Sequence, residues 1–252
     1  MPDVGLTLVL ACLRAARSVV ATTGAGISAE SGVPTFRGSG GLWRTFSASD
    51  LATPEAFARD PRLVWEWYRW RRDRIRPAKP NAGHFVLARF EKTLPHFQLV
   101  TQNVDGLHQQ AGSRTLIELH GNIWRSRCAS GCGRVTAVSG EGGPARSEDA
   151  RGTELPTCTC GALLRPDVVW FGEALDPGNI ERAMDAARAC DVLLVVGTSA
   201  VVYPAAALPR VAHAAGALVV EINVEDTPLT AEADVVLRGP AAEVLPALEA
   251  LS

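Results

Sequence analysis

The stretch that most constrains this chain runs over residues 18–44, Ser18-Val-Val-Ala-Thr-Thr-Gly24-Ala25-Gly26-Ile-Ser28-Ala-Glu30-Ser-Gly32-Val-Pro34-Thr35-Phe36-Arg37-Gly38-Ser-Gly40-Gly41-Leu-Trp43-Arg44. Its apolar, β-branched opening, Val19 to Thr23, reads as a buried strand. The strand stops at Gly24-Ala25-Gly26, where missing side chains let backbone amides approach a ligand. With a helix opening behind it, such a G-x-G-x-x-A segment suits a pyrophosphate. The triplet by itself is equally compatible with a plain glycine turn between strand and helix. The residues that follow favour the phosphate loop. Phe36 and Arg37 stand just beyond it, and Gly26, Gly32, Gly38, Gly40 and Gly41 leave the segment free to fold over a ligand. An ordinary dehydrogenase would run into a regular helix there.

At 252 residues the chain can hold one large domain with a smaller insertion and bury a substantial core. Hydrophobic residues make up 47% of it and the net charge is −2, which argues against disorder and against electrostatic capture of nucleic acid. No run of 18 apolar residues is present, so no membrane span is expected. Met1-Pro-Asp3 gives the N-terminus an acidic lead, unlike a signal or transit peptide, and a cytoplasmic location follows.

Residues 5–17 read as an amphipathic helix leading into the first strand. Beyond the glycine-rich loop the α/β rhythm breaks over 45–84. Thr53-Pro54 and Asp60-Pro61 each offer an N-cap followed by proline at the first helical position. The second helix carries Trp65, Trp67, Tyr68 and Trp70 among Arg69, Arg71, Arg72, Arg74 and Arg76, an inserted helical module. Asn81-Ala-Gly-His84 caps the next helix, with His84 in a structural role.

Phe97 to Thr101 is a second sheet strand. It ends in Gln102-Asn103-Val104-Asp105-Gly106, polar groups at a carboxyl end, where open α/β sheets bind ligands. His108, on a short helix beyond, is expected to be solvated or capping. Thr115 to Leu119 ends in His120-Gly121-Asn122 at the same sheet edge, and an imidazole there suits a general base near pH 7. Later strands are expected at 167–172, 191–197, 218–223 and 233–239, with a helix over 183–189. They deliver Gly197-Thr198-Ser199 and Asn223 to that edge.

Cys128-x3-Cys132 and Cys158-x-Cys160, 25 residues apart among Gly131, Gly133 and Gly161, suit a closed, tetrahedral structural zinc site. One pair is a residue longer than C-x-x-C and the other a residue shorter. Residues 139–147 between them read as an exposed loop. Cys12 and Cys190 stand alone and read as small buried hydrophobes.

Taken together, Gly24-Ala-Gly-Ile-Ser28, Gly32-Val-Pro-Thr-Phe-Arg37, Thr101-Gln-Asn-Val-Asp105, His120-Gly-Asn122 and Gly197-Thr-Ser199 resemble the sirtuins, the NAD-consuming protein deacylases. The motifs fall in family order over about residues 18–241. The resemblance implies an α/β fold: a Rossmann-like parallel sheet with a small domain made of a helical insertion and a zinc-binding module. Residues 1–38, 85–123 and 167–252 would form the NAD-binding domain, and 39–84 with 124–166 the small one. NAD and an acyl-lysine side chain would meet between them.

The resemblance also implies roles. NAD would lie against Gly24, Ala25, Gly26, Ser28, Thr35, Phe36, Arg37, Trp43, Gln102, Asn103, Asp105, Gly197, Thr198, Ser199, Asn223, Val224, Glu225 and Ala241. His120 would be the general base. The acyl-lysine and its peptide would meet Ala48, Ala52, Tyr68, Arg71, Val169, Trp170, Phe171, Gly172, Glu173 and Tyr203, with 167–172 pairing with the peptide as an added strand. The implied products are free lysine, nicotinamide and O-acyl-ADP-ribose, made by a monomer with one structural zinc.

On a helix Tyr68 and Arg71 lie three apart on one face. Tyr68-x-x-Arg71, with small Ala48 and Ala52, resembles the sirtuin branch that removes succinyl, malonyl and glutaryl groups. Arg69, Arg72, Arg74 and Arg76 read instead as a solvated face. Three other readings stay open: a predominantly deacetylating member of the same family, an NAD-linked oxidoreductase, and a zinc-ribbon nucleic-acid-binding protein.

Overall fold

The computed structural model describes residues 4–35, 47–137 and 155–249. Phe36, Arg37, Trp43 and the loop at 139–147 lie outside the described residues. The chain opens with α1 (Val4–Ala15) and β1 (Ser18–Thr23), followed by a 3-10 segment at Ala25–Ser31. Then come α2 (Ala48–Leu51), α3 (Pro54–Arg59), α4 (Pro61–Ile75) and α5 (Ala82–Thr93). The middle of the chain holds β2 (His96–Thr101), α6 (Leu107–Ala111), β3 (Leu116–Glu118), β4 (Gly121–Cys128), β5 (Val135–Ala137) and β6 (Leu164–Val168). It closes with α7 (Pro177–Ala189), β7 (Val192–Val196), α8 (Leu208–Ala214), β8 (Leu218–Asn223), β9 (Val235–Arg238) and α9 (Ala241–Glu249).

Six strands form one parallel sheet in the order β3-β2-β1-β7-β8-β9. Counting sheet strands along the chain, this is the 3-2-1-4-5-6 order of a Rossmann-like fold, and its direction reverses between β1 and β7. All five residues of β7 are buried, as a strand covered on both faces requires. One apolar layer packs α1, α5 and α9 on one face of the sheet, through residues such as Leu10, Leu87 and Leu245. A second packs α7 and α8 on the other, through Ala183, Ala187, Leu208 and Ala212.

A third core lies outside this sheet. It joins α3 and α4 to the antiparallel sheet β5-β4-β6 through Phe57, Trp65, Tyr68, Ile123 and Leu164. The proline-started helices are capped as their sequence dictates. Thr53 Oγ1 accepts from Ala56 N at 3.0 Å, and Asp60 Oδ1 accepts from Leu63 N at 3.0 Å. At α5, Asn81 and His84 cap each other's backbone, so His84 has the expected structural role.

Two expectations are corrected. Arg72 is not on a solvated face: it is buried, its Nε donates to Ile123 O at 2.7 Å, and its guanidinium covers the Trp65 ring at 5.3 Å. Arg72 lies four residues after Tyr68 and seven after Trp65, so helical geometry places it on their face. His108 is also buried rather than solvated, its Nε2 at 3.0 Å from Thr23 Oγ1 beneath the sheet edge. Beyond these, β6 begins earlier than expected and ends at Val168, with residues 171–172 in a turn.

The cysteines meet at the end of the small sheet. Cys128 closes β4, and Cys158 and Cys160 precede β6. Gly131 N turns back to Cys128 O at 3.3 Å, and Gly161 N to Cys158 O at 2.8 Å, two matching turns that aim the thiols inward. The four Sγ atoms lie within 4.8 Å of one another, with Cys128–Cys160 at 3.5 Å and Cys132–Cys158 at 3.7 Å. Zn–S bonds of about 2.3 Å in a tetrahedron put sulfurs about 3.8 Å apart, so the cluster is in position to bind a zinc ion. The irregular spacing is absorbed by the turns.

Elemental analysis should therefore find one zinc per chain in protein never exposed to chelator. Stripping it should release the amides of β5 and β6 to hydrogen exchange before those of β1 and β7, because binding free energy at such a site is folding free energy. Metal-free protein with those amides still protected would contradict this.

Candidate functional site

At the reversal between β1 and β7 two backbones touch. Gly24 N donates to Val196 O at 3.0 Å, and Gly26 N donates to Gly197 O at 2.7 Å. A Cβ on Gly26 would stand 2.7 Å from Gly197 Cα and O, and one on Gly24 2.8 Å from Gly197 O. The chain can close here only without side chains. Beyond this contact a cleft of about 610 Å³ opens over the carboxyl edge of the sheet and runs under the small unit.

The cleft gathers residues from every strand end. From the first loop come Gly24, Ala25, Gly26 and Thr35; from β2, Gln102 and Asn103; from the β3–β4 turn, His120. Gly197, Thr198 and Ser199 follow β7, Asn223, Val224 and Glu225 follow β8, and Ala241 opens α9. These polar ends brace one another: Gln102 Nε2 donates to Thr198 Oγ1 at 3.2 Å and Asn223 Nδ2 to Thr198 O at 2.9 Å.

Ser28 and Asp105 sit just behind this surface and hold its shape. Ser28 Oγ donates to Asp105 Oδ2 at 2.8 Å, and Asp105 Oδ1 accepts from Leu107 N at 2.9 Å. Asn103 Nδ2 donates to Gly24 O at 2.9 Å, tying the end of β2 to the glycine loop. Burial raises the Asp105 carboxyl above its ordinary value, while the bonds from Leu107 and Ser28 and the charge of Arg71 oppose the rise. His84, whose Nε2 lies 3.4 Å from Ser28 Oγ, is pushed down to about 4 by burial and stays neutral.

His120 hangs over the cleft with Nδ1 3.1 Å from Gln102 O. A carbonyl can only accept, so Nδ1 carries the proton and Nε2 presents a lone pair. Burial lowers its pKa from the ordinary 6.5, keeping the ring neutral and basic at neutral pH. The arrangement can take a proton from a hydroxyl bound in the cleft.

The far wall comes from α4 and the segment after β6. Val169, Trp170, Phe171, Gly172 and Glu173 line it with Tyr203 and Ala52, while Ala48 lies outside the lining. Two backbone bonds place this segment: Val169 N donates to His120 O at 3.0 Å, and Phe171 N to Ala52 O at 2.9 Å. Tyr68 and Arg71 line the same wall. Tyr68 is 1% exposed and Arg71 5%, and the Arg71 guanidinium lies 5.4 Å from the Tyr68 ring and 4.9 Å from that of Trp67. Burial raises the Tyr68 phenol and lowers the Arg71 guanidinium, and the two side chains present a buried cation and a hydroxyl together. Arg71, Asn103 and Asp105 also line a small adjoining cavity.

Several lining residues escape motif reading: Ala29 and Glu30 on the 3-10 segment, Leu175 beyond the β6 exit, and Asp226 and Thr227 after β8. Each follows a motif by a few residues, so motifs extended by one turn would have marked them.

With this geometry in view, comparison with known proteins is specific. A family model described as Sir2 family matches residues 24–204. NAD-dependent protein deacylase 2 of Pyrobaculum aerophilum is 55% identical over 238 residues, covering 94% of this chain and 91% of that protein. A solved Sir2 homologue–NAD complex superposes with a TM-score of 0.87 at 46% identity, covering 100% of this chain and 96% of that one. A solved Sir2 variant with a deacetylated p53 peptide and 3′-O-acetyl ADP ribose superposes with a TM-score of 0.84 at 32% identity, covering 97% of each chain. This chain belongs to the Sir2 family.

Proposed function

We propose that this chain is an NAD-dependent protein-lysine deacylase that prefers acyl groups ending in a carboxylate (succinyl, malonyl and glutaryl) over acetyl. The relatives' shared activity and the NAD complex of a solved homologue support the coarser reading. The finer one rests on a single observation: a buried guanidinium, Arg71, beside a buried phenol, Tyr68, both lining a cleft that Trp67, Val168 and Trp170 also line. Residues 39–84 and 124–166 would act as the small domain over a domain of 1–38, 85–123 and 167–252. The protein would work as a cytoplasmic monomer on acyl-lysine side chains of other proteins.

The glycine backbone and the polar strand ends fit a dinucleotide: no side chain at Gly24 or Gly26 obstructs its approach, and Asn223 suits a ribose. When bound, NAD supplies an electrophilic ribose carbon at which the acyl oxygen displaces nicotinamide. His120 Nε2 takes the proton of a ribose hydroxyl, which the Nδ1 bond to Gln102 leaves it free to do. Asn103 and Asp105, fixed by Gly24 and Ser28, order the nicotinamide end. Val169 to Glu173 would hold the peptide backbone, together with Tyr203.

An acyl carboxylate in this cleft would cost several kcal/mol if unpaired. Arg71 and Tyr68 can satisfy it with charge-assisted hydrogen bonds. An acetyl group offers Arg71 nothing.

Two outcomes test this account. His120→Ala should fold normally and lose about 10²–10⁴-fold in turnover, the usual cost of a general base. In the wild type the acid limb of kcat/KM should lie below pH 6.5, since the neutral ring is the active form and burial lowers its pKa. More than about a tenth of wild-type rate in the variant would contradict a general base of ordinary worth.

For acyl choice, wild-type kcat/KM should be higher for a succinyl-lysine peptide than for its acetyl twin. Arg71→Met should lower the succinyl-to-acetyl ratio at least about tenfold, because a charged hydrogen bond contributes about 1.5–3 kcal/mol. A wild-type preference for acetyl-lysine, or equal slowing of both reactions, would make this a deacetylase with Arg71 in a structural role.

A further inference from the structure

Arg165 is a buried cation with no place in the reaction described above. It sits on β6, is 7% exposed, and does not line the cleft. Its Nη2 donates to Glu173 Oε2 at 2.9 Å and to Val168 O at 2.8 Å, and its Nη1 bonds the other Glu173 oxygen. Among the described residues its Nε has no hydrogen-bond partner. Such a pair is expensive to bury, and a well-packed apolar residue would stabilise β6 as well.

What the pair holds is Trp170. The Arg165 guanidinium lies 3.3 Å from the centroid of the Trp170 ring, and Glu173 Oε2 accepts from Trp170 N at 2.8 Å. One carboxylate thus fixes both the backbone of Trp170 and the plate beneath its indole. A flat guanidinium can stack and bond a carboxylate side-on at once, which an ammonium cannot. The indole in turn points its Nε1 hydrogen at the Tyr68 hydroxyl, 2.9 Å away.

Hydrogen-bond direction then carries the matter to the acyl group. Indole Nε1 and guanidinium nitrogens can only donate. The Tyr68 oxygen receives Trp170 Nε1–H, and the Arg71 guanidinium, a donor only, lies 5.4 Å from the Tyr68 ring. Between two donors, the phenol has its own proton to give.

We propose that Arg165, clamped by Glu173, is a positioning residue for acyl recognition: it fixes the Trp170 indole so that the Tyr68 O–H is left to donate to an acyl carboxylate beside Arg71. This rests on the proposed preference for anionic acyl groups. The ligand feature read out is a terminal carboxylate, and a neutral acyl group gains nothing from the arrangement.

The test uses the full-length protein with Arg165→Met and Arg165→Lys, each checked for zinc content and thermal unfolding. Two quantities are read: hydrogen exchange of the Trp170 indole by NMR, its resonance assigned from the Trp170→Phe spectrum, and steady-state kinetics on succinyl- and acetyl-lysine peptides. In Arg165→Met the indole should exchange at least about tenfold faster, as a buried group does when its local opening becomes easier. The ratio of the succinyl to the acetyl KM should rise at least about fivefold, the loss of one aligned hydrogen bond, because the peptide-backbone contacts of Val169 to Glu173 are common to both substrates. Arg165→Lys, which keeps the charge but not the plane, should move both in the same direction, and it carries the test if the methionine variant does not fold.

Unchanged indole exchange overturns the proposal. So does faster indole exchange with an unchanged ratio of succinyl to acetyl KM, when Arg71→Met still abolishes acyl selectivity. If Arg71→Met is itself without selective effect, the acyl reading has failed, the specificity role of Arg165 falls with it, and the indole exchange alone decides whether Arg165 sets Trp170.

Discussion

The cleft depends on one contact, the backbone of Gly24 and Gly26 lying against that of Gly197. Gly26 N–H reaches Gly197 O at 2.7 Å, and Gly197 itself adopts φ +57, where a Cβ would stand 2.4 Å from Ile27 N. Only glycine satisfies that conformation and that distance together. The contact sits where the strand order reverses, so it decides where the sheet parts and where a dinucleotide can approach backbone without meeting side chains. The hydrogen bonds from Asn103 to Gly24 and from Asn223 to Thr198 carry the same constraint outward to β2 and β8.

On the opposite side the small unit is built to hold a charge without water. Its core of Phe57, Trp65, Tyr68 and Ile123 packs against buried arginines, and the neighbours Arg71 and Arg72 on α4 use their surroundings differently. Arg72 is spent on structure, bonding Ile123 O and stacking on Trp65. Arg71 faces the cleft, where burial works against its charge and leaves it receptive to an anion. The cysteine cluster anchors the far end of the same sheet and contributes nothing to the cleft lining.

Much of this was legible in the sequence because the signals are local. Proline after Thr53 and Asp60 marks two helix starts, and the β-branched runs at 19–23, 192–196 and 218–222 mark buried parallel strands. The strand-end motifs met at one edge because parallel strands share their carboxyl side. What stayed hidden was decided by tertiary packing. His108 is an ordinary polar residue on a five-residue helix until that helix is pressed beneath Thr23. Arg72 was readable only by counting helical positions from Trp65 and Tyr68. No local pattern pairs Arg165 with Trp170, because their contact needs β6 to end at Val168 and the chain to fold back through Glu173.

The account as a whole stands on the chemistry done in the cleft, and the products of one reaction test it most directly. Protein, NAD and a succinyl-lysine peptide should yield deacylated peptide, nicotinamide and O-succinyl-ADP-ribose in equal amounts by mass spectrometry. Free succinate with NAD untouched, or reduced NAD absorbing near about 340 nm as a hydride-transfer enzyme would give, would contradict it.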